Sequence, residues 1–290
     1  KEQKKTSTIT IYQSLLRDLR LFDKHADFKL NFKKINAAFY EEFTGFLEGH
    51  LNNTNNTVSK KIKTLKAFLN YAAERKLIDT ELFNRFSTNT TSAVKVSLSE
   101  QDVSKIFNLN LSLSPELAQA RDLFLFGCFT GMKYSEIMKL KHEDIADYRI
   151  KIVNQYNNKE ITVPMNNYAK MIARRYENFD KVKCFPAIQN VYANKFVKEL
   201  GRQAGIDKVI EVPIYKGKTV KINTRQKFEL ITTDTARFTY AALSLQGGMR
   251  PELLIQILGQ KNINSLLQYT FENNPMKDIE MIDCWNKKVF

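Results

Sequence analysis

Four polar side chains of different chemistry fall within one short stretch of this sequence, ITTDTARFTYAALSLQGGMRPELLIQILGQKNINSLLQYTFEN from Ile231 to Asn273: Asp234, Arg237, Gln260 and Tyr269. A guanidinium presents a planar fork that holds two oxygens of a phosphate at once, and a phenol oxygen becomes a nucleophile when a neighbour activates it. Cutting a phosphodiester with a side chain needs an oxygen attacking in line, positive groups on the non-bridging oxygens, and an acid for the leaving oxygen. Arg237 and Tyr269 are of the types that meet the first two needs, and Gln260 can donate a hydrogen bond. Asp234 works against them, because a carboxylate repels a phosphate and carries no proton at neutral pH unless its environment raises its pKa. A net charge of +14, from 45 Lys and Arg against 31 Asp and Glu, favours a polyanionic partner, since each phosphate neutralised releases condensed counterions.

Three short helices must position these groups. Thr232, Thr233 and Asp234 offer N-caps, Ala236 to Gln246 carries apolar residues at helical spacing, and Gly247-Gly248 stops that helix. Pro251 suits a first helical turn, Leu253, Leu254, Ile257 and Leu258 form one apolar face, and Gly259 ends the second helix. A last segment, Ile263 to Phe271, presents Tyr269.

At these residues the chain resembles the tyrosine recombinase (phage integrase) family, whose C-terminal box reads H-x-x-R, then L-G-H, then a Tyr nine residues after the second His. Arg237 matches the Arg, Leu258-Gly259-Gln260 matches L-G-H, and Tyr269 follows Gln260 by nine residues. Asp234 and Gln260 stand where the two His are expected. A second box, T-G-x-R-x-S-E followed by L and D-I, is matched by Thr130, Gly131, Ser135, Glu136, Leu140, Asp144 and Ile145, with Lys133 in place of the Arg. The resemblance implies that Tyr269 forms a 3′-phosphotyrosyl link while Arg237, Lys133, Gln260 and Asp234 occupy the positions that brace the phosphate. Lys133 keeps the charge but loses the planar fork. The family's general acid is a Lys on a strand turn; counting back from Pro164 that position falls near Tyr156, and Lys159 of the same polar turn is close enough to substitute if the turn is registered differently. No metal or cofactor is implied. The implied partner is double-stranded DNA carrying a recombination site, on which four protomers exchange strands. Plainer roles stand beside these. Tyr269 would pack by its ring, Arg237 would pair with Asp234 three residues back, Asp234 would cap its helix, and Lys159 would be solvated.

Residues 1–86 read as a helical domain, resembling the family's SAM-like core-binding domain. Ile9 to Phe22 and Ala37 to Leu47 carry helical apolar spacing, Asn52 to Asn56 is a polar turn, and Thr57 to Arg75 is a longer helix with Val58, Ile62, Leu65, Leu69 and Ala72 on one stripe. Lys60, Lys61, Lys63 and Lys66 lie off that stripe, either facing DNA or simply solvated. Residues 87–97, STNTTSAVKVS, read as a linker, and residues 98–290 as the integrase-like catalytic domain. Within it Ser99 caps a helix, and Pro115 to Leu125 and Asn190 to Gln203 are helical. Ile150 to Val153 and Glu160 to Val163 are strand candidates, and Val209 to Val212 with Thr219 to Ile222 frame a hairpin turn at Lys216-Gly217-Lys218. The expected fold is mainly α with small β-hairpins, in the two-lobed architecture of tyrosine recombinases. The basic start, Lys1 to Lys5, is expected to be a flexible tail, and the missing initiator Met raises the expectation of an absent N-terminal arm-binding domain. The tail Pro275 to Phe290 aligns Met276, Ile279, Ile282 and Trp285, and is expected either to dock on a neighbouring protomer or to pack on its own domain.

Cys128, Cys184 and Cys284 are widely spaced and odd in number, which suggests neither a disulfide framework nor a zinc site and suits a reducing compartment. No apolar run reaches the roughly 18 residues of a membrane span. The expected location is a bacterial cytoplasm, at the nucleoid. Two functions remain open: a site-specific recombinase of a mobile genetic element, as Tyr269 and Arg237 suggest, or a catalytically weak relative that binds DNA as an accessory or regulator, as Asp234 and the missing His suggest.

Overall fold

The computed structural model describes residues 6–88, 90–91, 93–153 and 160–260. Tyr269, Lys159, the start Lys1 to Lys5 and the tail Pro275 to Phe290 lie outside the described residues. The chain divides into two units, Lys1–Val94 with Glu211–Asn223, and Lys95–Ile210 with Thr224–Phe290.

The first unit is built on three helices, α1 (Thr6–His25), α2 (Ala37–Gly49) and α3 (Asn55–Ala73). The Asn36 side chain accepts from the Phe39 N–H at 3.1 Å and starts α2. Phe22, Phe39, Phe43, Leu47, Leu65 and Leu69 are fully buried, each contributing about 1.5–3 kcal/mol of apolar burial. Their rings interlock, with Phe39 stacked on Phe43 at 5.5 Å and Phe22 edge-on to Phe43 at 5.3 Å. The apolar stripe of α3 is buried as its spacing expects, although the helix starts at Asn55, inside the expected polar turn. Asn56 holds Thr91 in a two-way pair, accepting from its N–H and donating to its carbonyl, both at 2.9 Å. The early part of the expected linker is thereby fastened to this unit.

The second unit opens with α4 (Glu100–Phe107), started by a reciprocal pair in which Ser99 Oγ accepts from the Asp102 N–H and the Asp102 carboxylate from the Ser99 N–H, each at 3.1 Å. Helix α5 (Pro115–Thr130) is the centre, with Leu123, Phe124, Leu125, Phe126 and Cys128 all buried. A short α6 (Tyr134–Ile137) precedes a sheet of β1 (Ile145–Ala146), β2 (Arg149–Val153) and β3 (Glu160–Pro164), antiparallel throughout with Ile150 opposite Val163. Then follow α7 (Asn167–Arg175), α8 (Asn190–Gln203), the hairpin β4 (Val209–Lys216) and β5 (Thr219–Gln226), and α9 (Lys227–Leu230). Helices α10 (Thr233–Gln246) and α11 (Pro251–Ile257) complete the described elements. A β-carbon on Gly127 would lie 3.0 Å from the Ala236 β-carbon, so α5 and α10 cross closely there, and a larger residue would have to push the Ala236 methyl aside by a few tenths of an ångström.

The β4–β5 hairpin is longer than its sequence pattern suggests, and its tip belongs with the first unit. Gly217, at φ +53°, donates to Asn55 Oδ1 at 2.7 Å and accepts from Asn55 Nδ2 at 3.0 Å. Among the described residues no helix is long and apolar enough to cross a membrane.

Candidate active site

Helix α5 ends at Gly131, whose φ of +71° is the left-handed conformation that stops a helix and favours glycine. A β-carbon there would also meet Tyr240 Cδ1 of α10 at 2.5 Å. Thr130, just before it, is buried and donates its hydroxyl to the Phe126 carbonyl at 2.7 Å. The Thr-Gly pair thus closes the helix under α10 and turns the Gly131 carbonyl toward Arg237. Arg237 donates from Nη1 to that carbonyl at 2.7 Å and from Nη2 to the Leu258 carbonyl. Leu258 presents its carbonyl because α11 ends in a tight C-terminal turn. The Gly259 N–H, at φ +56°, donates to the Gln256 carbonyl and the Gln260 N–H to the Ile255 carbonyl, both at 3.0 Å. One buried arginine, Arg237, 8 % exposed, therefore joins the two sequence boxes through their backbone carbonyls.

The remaining expected residues gather around it unevenly. Lys133 opens α6 and is 39 % exposed by side chain; its N–H donates to Glu136 Oε2 at 2.8 Å and its Nζ lies 3.8 Å from Glu136 Oε1. Glu136 was legible only as a box residue, and the structure makes it the partner of Lys133. Asp234 does not cap α10. Thr232 holds the N-cap position, with its N–H donating to Thr235 Oγ1 at 3.0 Å, and Asp234 is an exposed first-turn carboxylate one turn before Arg237. The capping role expected for Asp234 is corrected accordingly: what remains is the favourable interaction of a carboxylate with the helix N-terminus. Gln260 is half-buried beyond the α11 turn. Helix α11 packs against β3, the strand that begins one residue after Lys159.

Of the four lysines expected to face DNA, two have internal partners. Lys61 forms an ion pair with the buried Asp18 carboxylate, and Lys66 donates to the Asn84 and Phe86 carbonyls, each at 3.0 Å. Burial, and then the nearby Arg17, push the Lys61 pKa below its ordinary value. Lys60 and Lys63 are exposed.

Solved structures share this architecture. Lambda integrase in a dimer bound to a COC′ core site aligns with a TM-score of 0.66 at 14 % identity, covering 95 % of this chain and 94 % of that one. The Tn1549 transposon integrase in complex with transposon right end DNA gives 0.65 at 15 % identity, over 99 % and 96 %. XerH recombinase bound to a palindromic difH substrate gives 0.67 at 16 % identity, over 96 % and 80 %. The fold is that of the two-domain tyrosine recombinases. The phage integrase SAM-like domain matches residues 1–91 and the phage integrase family matches residues 96–275, and the chain belongs to that family. A search of curated protein sequences finds no match.

Proposed function

We propose that the protein is a site-specific recombinase of a mobile genetic element, cutting and rejoining duplex DNA through a 3′-phosphotyrosyl intermediate on Tyr269. The observation that supports it most is Arg237. Its buried guanidinium draws together Gly131, at the head of the Lys133 box, and Leu258, at the head of the segment that leads to Tyr269. In this reading Tyr269 attacks the phosphate and Arg237 and Lys133 neutralise its non-bridging oxygens. Gln260 donates a further hydrogen bond, and Lys159 protonates the leaving 5′ oxygen. The exposed Lys60 and Lys63 bind the backbone without reading sequence, and four protomers assemble on the site by exchange of segment 275–290. Solved integrases with this fold include a lambda integrase tetramer bound to a Holliday junction.

A second reading, a DNA-binding accessory protein with weak or no catalysis, draws on Asp234 and Lys133. Asp234 places an exposed carboxylate one turn from Arg237, and Lys133 shares its charge with Glu136. Losing one preorganised donor costs roughly 100- to 1000-fold in rate. Strand exchange between two duplexes carrying the element's own end sequence separates the readings. Recombinant product that disappears with Tyr269→Phe supports the first. Salt-sensitive binding without product, even in the double variant Lys133→Arg with Asp234→His, supports the second.

A further inference from the structure

We propose that Asn55 and Asn56, at the head of α3, form a double clasp on both chain connections between the two units, and that they are thereby positioning residues for the binding of duplex DNA. The positioning role rests on the duplex-binding part of the proposed function. The stretch Asn52 to Asn56, NNTNN, reads from sequence as a polar turn, and no step of the proposed chemistry uses it.

Its last two side chains make the same contact twice. The Asn55 amide accepts from the Gly217 N–H at 2.7 Å and donates to the Gly217 carbonyl at 3.0 Å. The Asn56 amide accepts from the Thr91 N–H and donates to the Thr91 carbonyl, both at 2.9 Å. Each amide thus pairs with both backbone groups of one residue, as a neighbouring strand would. Gly217 and Thr91 are not arbitrary partners. The chain passes between the units at 94–95, in the linker, and at 210–211 and 223–224, on the two strands of the β4–β5 hairpin. Asn56 therefore holds the linker and Asn55 the hairpin tip.

The hairpin is fixed at its base as well. The Lys227 N–H donates to the Lys208 carbonyl at 2.8 Å and the Phe228 N–H to the Ile206 carbonyl at 3.0 Å. At the tip Lys216 Nζ donates to Asn52 Oδ1, and a β-carbon on Gly217 would come 3.0 Å from the Glu48 carboxylate. In the linker, Thr91 and the buried Val96 are five residue steps apart, a reach of about 17 Å. Without the Asn56 pair the chain is held further back, at Ser87, whose carbonyl accepts from the Tyr40 hydroxyl at 3.2 Å. From there the reach to Val96 is about 31 Å.

Two surfaces that bind one duplex act as linked modules, and their effective concentration falls roughly as the −3/2 power of tether length. Lys60 and Lys63 belong to the first unit, and Lys133 and Arg237 to the second. Lengthening the linker alone would weaken their joint grip about 2- to 3-fold, but the fastened hairpin still limits the units. Only loss of both pairs frees them.

The test places spin labels on Glu42→Cys and Lys195→Cys of the full chain with Cys284→Ser; both sites are exposed, while Cys128 and Cys184 are buried. Double electron–electron resonance reads the width of the distance distribution, and duplex affinity is measured beside it. Asn55→Ala and Asn56→Ala should each broaden the distribution slightly and weaken binding less than about twofold. Together they should at least double the width and weaken binding about 3- to 10-fold, with the salt slope unchanged because no phosphate contact is lost. A double variant as narrow as the parent would overturn the clasp. A broad distribution with unchanged affinity, or a reduced salt slope, would overturn the positioning role. A parent that binds no duplex removes the positioning role together with the DNA reading, while the spin-label result still decides the clasp. Should the double variant lower the unfolding midpoint, Thr91→Pro with residues 215–220 replaced by Asn-Gly removes the partners instead of the asparagines. The same broadening is expected there, and a narrow distribution would again overturn the clasp.

Discussion

Gly131 and Arg237 carry most of the structural meaning of the two sequence boxes. With φ of +71° and a β-carbon position 2.5 Å from Tyr240, Gly131→Ala should lower stability by about 2–4 kcal/mol, read from chemical denaturation. Arg237→Ala removes donors from the Gly131 and Leu258 carbonyls, and should cost a similar amount, about 2–4 kcal/mol, as well as any cleavage activity. Arg237→Lys retains the charge but not the fork that spans both carbonyls, so it should stay folded at reduced stability and remain defective. The sequence made the residue types and spacing of these boxes legible, but not the carbonyls that Arg237 joins. Backbone acceptors have no sequence signature, and Asp234 misled for a related reason: Asp is the better cap by type, but the helix begins two residues before it, at Thr232, where the Thr235 hydroxyl takes the free backbone N–H.

At the level of elements, α3 shows that a row of lysines is not one kind of surface. Lys61→Ala would leave the Asp18 carboxylate buried without its lysine and should destabilise the first unit by about 3–5 kcal/mol, with thermal unfolding as the readout. Lys60→Ala and Lys63→Ala should barely change stability; each should weaken duplex binding evenly across sequences and reduce the salt slope by about 1. Periodicity placed all four lysines off the apolar stripe, but it is blind to partners supplied by α1 and by residues 84–86. The hairpin was likewise visible as a turn, while its fastening to Asn55 depends on residues distant in sequence. Helix α4 is held to α9 by Lys227 Nζ on Asp102 Oδ2 at 2.7 Å. Burial pushes the Asp102 carboxyl up, but the hydrogen bonds from Lys227 and Ser99 outweigh it and hold the group below its ordinary value. A carboxylate depressed on folding stabilises fully above its unfolded pKa of about 3.9, and the contribution fades as pH falls through the lower folded value. Asp102→Asn should therefore cost about 1–3 kcal/mol at neutral pH and flatten the loss of stability below about pH 4.

For the whole molecule, the net charge of +14 predicts that the logarithm of duplex affinity falls linearly with that of salt, by about 0.9 for each phosphate neutralised. Composition indicated this polyanion partner, and the joint spacing of the boxes indicated the family that residues 96–275 match. Neither decides whether the pocket cuts. The local rules that place Lys133, Asp234 and Gln260 are satisfied whether or not a phosphate is attacked between them, so cleavage is decided by chemistry rather than by fold. The most direct measurement is covalent trapping on a nicked suicide duplex carrying the element's own end sequence, with the protein beside Tyr269→Phe on a denaturing gel. A nucleophilic Tyr269 predicts a protein–DNA band that is lost in the Phe variant. Tight binding of the same duplex with no band, or a band that survives Tyr269→Phe, would contradict it.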